Sequence, residues 1–186
     1  MPDTAAEILA RSAAAYAGCT SYRDDGVVTT AFYSPARRVV NKPFKTRFVR
    51  GENGGFLFEY KSRRGEEDWD TCAVWLENGQ VRAWSSQLPL ESGGSLDMAL
   101  SALTGVSGGS AWRIPSLLMP EVVAERTRPK PDAVVLEIAE AHALGCAAVE
   151  VRNAMRVEQI WIDRSTWLSA ATRRRRKLPA GAAAAP

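Results

Sequence analysis

The sequence is poor in the side chains that carry most enzyme chemistry. It has a single histidine, His142, and no G-x-S-x-G nucleophile elbow around any serine. The glycine-rich run Ser107-Gly108-Gly109-Ser110 lacks the lysine and flanking spacing of a phosphate loop. Its three cysteines, Cys19, Cys72 and Cys146, are far apart and form no C-x-x-C pair, which argues against a zinc cluster or a thioredoxin-like motif. The odd count leaves at least one thiol unpaired within a monomer. Cys72 and Cys146 each fall in an apolar strand, where a buried free thiol is the expected state and a disulfide the alternative. The carboxylates of Asp24-Asp25 and Glu66-Glu67-Asp68 lack calcium-loop spacing and suit turns. No catalytic residue, metal site or cofactor is therefore expected, and the reading is non-enzymatic.

Two further scarcities narrow the class. No run approaches the roughly 20 apolar residues that a membrane-spanning helix needs, and the N-terminal stretch lacks the basic-then-apolar pattern of a secretion signal. The net charge is only +3, with much of the basic excess gathered at Arg173-Arg174-Arg175-Arg176-Lys177. That run reads as the solvated end of a last strand, with contact to anionic lipid or nucleic acid as the competing reading. The C-terminal stretch 178–186 is low-complexity and expected to be disordered.

In their place the chain has a globular composition, 46% hydrophobic and 24% charged, and a strong two-residue alternation. From Phe44 to Ser85 four short runs place aromatic or β-branched residues at every second position: Phe44, Thr46, Phe48, then Phe56, Phe58, Tyr60, then Trp69, Thr71, Ala73, Trp75. Such alternation puts each set on one face of a strand. The opposite faces carry Lys45, Arg47, Glu59, Lys61, Asp68 and Asp70. Asn78-Gly79 marks a tight hairpin, because both residues tolerate positive φ.

Around this antiparallel meander the expected order is helix, strands, short helices, strands. Thr4 with Glu7 fits a capping box opening an amphipathic helix to Tyr16, with Ile8, Leu9, Ser12, Ala15 and Tyr16 on its stripe, Arg11 on the wet flank and Gly18 as its end. A long strand from Thr20 is expected to bend near Asp24-Asp25-Gly26, with Pro35 and Arg37-Arg38 interrupting it. Leu88-Pro89 and Ser92-Gly93-Gly94 read as a loop and Ser95 to Leu103 as a short helix. VSGGSAW reads as a flexible turn, and a second short helix has Pro115 in its first turn and Pro120 as its stop. The segment from Thr127 to Asp132 reads as an exposed linker. The last block is strands over AVVLEIAEAH and CAAVEVR, then a hairpin around Asp163-Arg164-Ser165. Blocks of antiparallel strand and helix imply an α+β chain, with a single domain over 1–177.

That order resembles the LolA/LolB-like bacterial lipoprotein carriers. The local matches are Arg50 at a strand end, the Phe56-x-Phe58-x-Tyr60 strand, the W-x-x-N-G-x-V-x-x-W hairpin from Trp75 to Trp84, and the final WID-R-S-T-W-L hairpin. The resemblance implies a curved antiparallel sheet of about 9–11 strands forming an incomplete β-barrel, covered by the N-terminal helix and two or three short lid helices. It also implies a periplasmic, monomeric, soluble carrier of lipid or lipidated protein, with an envelope protein as a further partner and no nucleic acid. Arg50 matches the arginine that holds the lid closed in that family. Here a Gly51-Glu52-Asn53-Gly54-Gly55 run stands in place of the family's proline turn.

The candidate cavity is lined by Phe48, Phe58, Tyr60, Trp75 and Trp84 from the sheet and by Leu100, Leu103, Leu117, Leu118 and Met119 from the lid. Acyl chains need only apolar area there, at about 0.8 kcal/mol per buried methylene. The same residues could instead interdigitate as a solid core. Two readings stand beside the carrier: a sensor or protein-interaction domain on the same scaffold, and peripheral membrane contact through Arg173 to Lys177.

Overall fold

The computed structural model describes residues 3–32, 38–52, 54–63, 69–104, 110–123, 132–152 and 156–176. Among these, four helices and ten strands in two antiparallel sheets make an α+β chain. The 1–177 domain expected from sequence divides into two compact units, Met1–Gly18 with Arg126–Pro186, and Cys19–Glu125. The tail at 178–186 lies outside the described residues.

In the first unit, α1 (Ala5–Ala17) starts from the expected capping box: Thr4 Oγ1 accepts the Glu7 amide and the Glu7 carboxylate accepts the Thr4 amide. Its buried stripe of Ala5, Ile8, Ser12 and Tyr16 faces a four-stranded sheet ordered β10-β9-β8-β7, and Ile8 packs with Val149, Ile160 and Ile162. Arg11 remains on the flank, paired with Asp3 at 3.1 Å and lying over the Trp167 ring. The strands are β7 (Ala133–Leu136), β8 (Cys146–Arg152), β9 (Arg156–Asp163) and β10 (Ser169–Arg176). AVVLEIAEAH was expected as one strand. Instead the strand stops at Leu136 and Ala139–Ala143 forms a short helix, α4, which buries Ala141 against Cys146 and Ala148. Ala139, Ala141 and Ala143 favour helix, and no β-branched residue lies among them to favour strand. Gly145, at φ +68°, then reverses the chain into β8.

In the second unit, a six-stranded meander runs β1 (Ser21–Phe32), β2 (Arg38–Val49), β3 (Gly55–Arg63), β4 (Trp69–Glu77), β5 (Gln80–Ser85) and β6 (Leu88–Ser92), each paired to the next. The pairing of β1 with β2 passes through Asp24-Asp25-Gly26 with its register unbroken. The β4–β5 hairpin turns at Asn78 (φ +50°) and Gly79 (φ +74°), as their identities demand. Residues 88–92, expected in a loop, form an edge strand, a position that tolerates Pro89 because only one side of the backbone is paired. Two helices come next, α2 (Leu96–Thr104) and α3 (Ser110–Leu118). The second begins five residues before Pro115, so this proline sits inside the helix and not in its first turn. Pro35 and Arg37, the acidic run at 66–68 and the proline-rich linker through 131 lie outside the described residues.

Candidate functional site

Cross-strand registers decide which side chains share a face of the six-stranded sheet. Tyr22, Phe48, Phe56, Leu76 and Val81 form one row, and Asp24, Thr46, Phe58, Val74 and Ala83 the next. Gly26, Phe44, Tyr60, Cys72 and Ser85 form a third row on the same side. Directly opposed side chains are near neighbours, so Phe44, Phe48, Phe56, Phe58 and Tyr60 form an aromatic patch on β2 and β3, continued by Val74, Leu76 and Val81. The Phe44 and Phe58 ring centroids are 6.0 Å apart, and those of Phe58 and Tyr60 6.4 Å. Gly26 makes room for it: a Cβ there would stand 2.6 Å from the Phe44 ring. Burial pushes the Tyr60 phenol up, and its hydrogen bond to Cys72 acts the same way.

Helix α2 packs on the sheet and, with α3, forms its roof. α2 lies against β4, β5 and α3, and Leu96 and Leu100 from α2, Trp112, Ile114 and Leu118 from α3, then Met119 and Val123, are all buried. Phe58, Val74, Leu100 and Leu118 have 0% relative exposure. At these positions protein atoms enclose the side chains.

Phe48, Phe58, Tyr60, Leu100, Leu118 and Met119 are all buried, the first three on one face of the sheet and the others in or just after α2 and α3. Leu103 and Leu117 are half-buried at the margins of the helices. Trp75 and Trp84 are a correction. Trp84 pairs with Ala73 and Trp75 with Arg82, which places both indoles on the outer face of the sheet with Leu57 and Glu59. Trp84 is 41% exposed. Trp69, Thr71 and Ala73 share that outer face, while Asp70 falls on the inner side with Cys72. The cause lies in WDTCAVWL, which is apolar at both parities. Alternation alone cannot choose between Trp69, Ala73, Trp75 and Cys72, Val74, Leu76; pairing of Phe58 with Val74 chooses the second set.

Arg50 stands where the sheet meets the roof. Its Nη2 donates to the Leu118 carbonyl at 2.7 Å and its Nε to the Cys19 carbonyl at 3.1 Å. Its backbone amide donates to Thr20 at 2.8 Å, which fixes the strand end. The guanidinium lies 5.1 Å from the Phe48 ring centroid and 3.8 Å from Glu121 Oε1. One side chain thus ties the start of β1 to the last turn of α3.

The candidate cavity left out Phe56, Val74 and Val81 on the inner face and Leu96 and Trp112 in the helices. Phe56 had a usable signal, since it alternates with Phe58 and Tyr60. Trp112 was obscured by the glycines before it, which suggested a turn. Asp24 and Asp25, adjacent on an extended strand, point to opposite faces and cannot chelate together. Asp25 binds Arg47 at 2.8 and 3.0 Å, and that bond holds its carboxyl below the ordinary value. His142 bonds Glu137 at 2.8 Å, both exposed. Cys19, Cys72 and Cys146 are free thiols. Among the described residues no cluster of three His, Cys, Asp or Glu could hold a metal ion, and no helix is long and apolar enough to cross a membrane.

Comparison with protein-family models, with curated proteins and with solved structures finds no match.

Proposed function

We propose that the Cys19–Glu125 unit is a lid-gated, non-enzymatic binder or carrier of apolar ligands, either lipid or the acyl chains of a lipidated protein. The observation that supports this most is the Arg50 bond to the Leu118 carbonyl, because it joins the end of an aromatic strand to an apolar helix through a polar latch. In the closed form the protein's own side chains occupy the site. Lifting α2 and α3 exposes Phe48, Phe58, Tyr60, Leu100, Leu118 and Met119, and a ligand's methylenes replace the apolar contacts that the sheet and roof gave each other. That exchange of apolar area for apolar area costs little, so the latch governs the balance between empty and loaded forms.

The finer architecture, an incomplete β-barrel under lid helices, belongs to the same proposal, as do a periplasmic setting, a monomeric state and an envelope protein as donor or acceptor. Native mass spectrometry after gentle purification tests the ligand directly. Bound lipid is the expected result. An empty protein that also fails to take up a neutral apolar dye refutes the carrier reading. The second reading, a sensor or protein-interaction domain on the same scaffold, is favoured by the full enclosure of Phe58, Val74, Leu100 and Leu118. It would be supported by a specific protein partner bound by a form that stays closed. Peripheral contact with anionic membranes through Arg173 to Lys177 is tested by replacing Arg173, Arg175 and Lys177 with glutamine, which keeps β10 whole, and measuring salt-sensitive vesicle binding.

A further inference from the structure

The inner face is not uniformly apolar. At its β1–β2 edge the hydroxyl of Thr46 is completely buried and has no hydrogen-bond partner. An unsatisfied buried hydroxyl is a standing cost to the fold, and valine, nearly the same shape, would avoid it. Thr46 lies between Phe44 and Phe48 on its own strand and opposite Phe58 on the next. Directly across on the other side is Asp24, whose carboxyl is on the same face. Burial raises that carboxyl above its ordinary value, while a hydrogen bond from Tyr22 acts the other way. Arg47 faces outward, pairs with Asp25 and donates to the Asp24 main-chain carbonyl at 3.0 Å; its charge draws the Asp24 carboxyl down, while the neighbouring Asp25 charge pushes it up. Lys42 shares the inner face but lies four residues along β2 from Thr46, about 14 Å away at the rise of a strand.

We propose that the ligand of this site carries, at the end of its apolar chain, a neutral or cationic hydrogen-bonding head that is read by the Thr46 hydroxyl and the Asp24 carboxylate, and that anionic heads are rejected. The inference rests on the apolar-binding reading and specifies it. Phe48, Phe56, Phe58 and Tyr60 offer the chain its surface, and the Asp24–Thr46 pair gives that surface a polar end. A hydroxyl or ammonium head donates to Asp24 and satisfies Thr46. A carboxylate head would meet Asp24 with like charge in a water-poor setting, where such repulsion is strongest.

The test uses the intact chain at neutral pH with a neutral apolar fluorescent dye displaced by three 12-carbon probes: dodecanol, dodecylamine and dodecanoate. Dodecanol and dodecylamine are expected to displace the dye at concentrations at least about tenfold below dodecanoate. Thr46→Val should weaken dodecanol roughly three- to tenfold, with Thr46→Ser restoring it, and Asp24→Asn should level dodecylamine with dodecanoate. Equal displacement by all three probes overturns the head-group inference and leaves the apolar site standing. Failure of the dye itself to bind overturns the apolar site, and this inference with it. Thermal unfolding adds an independent check, since Thr46→Val should keep or raise Tm. A clear loss of Tm would show that the hydroxyl is bonded within the protein and would overturn the proposal.

Discussion

Replacing Arg50 by leucine should loosen the roof while sparing the sheet. The guanidinium makes two charge-assisted bonds to main-chain carbonyls, at 2.7 Å to Leu118 and 3.1 Å to Cys19. Bonds to charged groups contribute about 1.5–3 kcal/mol each when shielded. The Arg50 side chain is 38% exposed, so solvent screening brings the pair to about 2 kcal/mol together. Glu121, at 3.8 Å and 59% exposed, adds about nothing. Leucine keeps apolar contact with Phe48, so the loss is concentrated on the latch. If those bonds hold the empty form shut, about 2 kcal/mol shifts the opening equilibrium roughly 30-fold. Apparent affinity for an apolar dye should then tighten by up to that factor, because less free energy is spent on opening, and bound lipid should be released more slowly. Hydrogen exchange gives the structural readout. The amides of Met119 and Val123, bonded to Pro115 and Met119 at 2.8 and 2.9 Å, should exchange faster in the empty variant by a similar factor, with β3 and β4 amides unchanged. Unaltered exchange at Met119 and Val123 together with unaltered dye affinity would refute the latch.

Other substitutions separate the faces of the sheet. Phe58→Ala should cost about 3–5 kcal/mol and lower Tm sharply, because a fully buried ring is removed from the centre of the inner face, whereas Trp84→Ala should cost no more than about 1 kcal/mol and leave dye uptake intact; the reverse ranking would mean that the β4–β5 parity is wrong. Leu103→Glu, at the half-buried margin of α2, should fold yet reduce dye uptake severalfold, and unchanged uptake would remove Leu103 from the ligand path. In the β9–β10 turn, Asp163 is held down to about 2 by the Ser165 hydroxyl and by the Thr166 and Ser165 amides. Its folded pKa is depressed below the unfolded carboxyl value, so its stabilising effect is complete above that value and lost as pH falls through about 2. Asp163→Asn should flatten the acid dependence of stability between about pH 4 and 2, as followed by circular dichroism, and a profile unchanged from the parent would show that the turn does not depend on this charge.

The order of elements was legible because it is written in short-range chemistry. The Thr4–Glu7 capping box, the positive φ tolerated at Asn78-Gly79, the Asp163 turn and the alternation through Phe56, Phe58 and Tyr60 each act within a few residues, where local geometry dominates. Arg50 could be singled out only by the resemblance. Its partners, Leu118 and Cys19, are separated from it by 68 and 31 positions, beyond any local pattern.

Tertiary structure alone decided parity, enclosure and the division of the chain. WDTCAVWL has apolar side chains on both sides of its strand, so only the register with β3 could send Val74 inward and turn Trp75 and Trp84 out. AEAHA could close a strand or form a turn of helix, and packing on Cys146 and Ala148 settled it. Thr46 looked like an ordinary β-branched residue in the sequence, because whether a hydroxyl finds a partner depends on neighbours brought from other strands. The sequence by itself determined the start of the first helix, the tight hairpin turns and which strands are aromatic. The assembled sheet determined which of those aromatic rings face the roof and which face outward, since a strand's two sides are equivalent until a partner strand and a covering helix make them different.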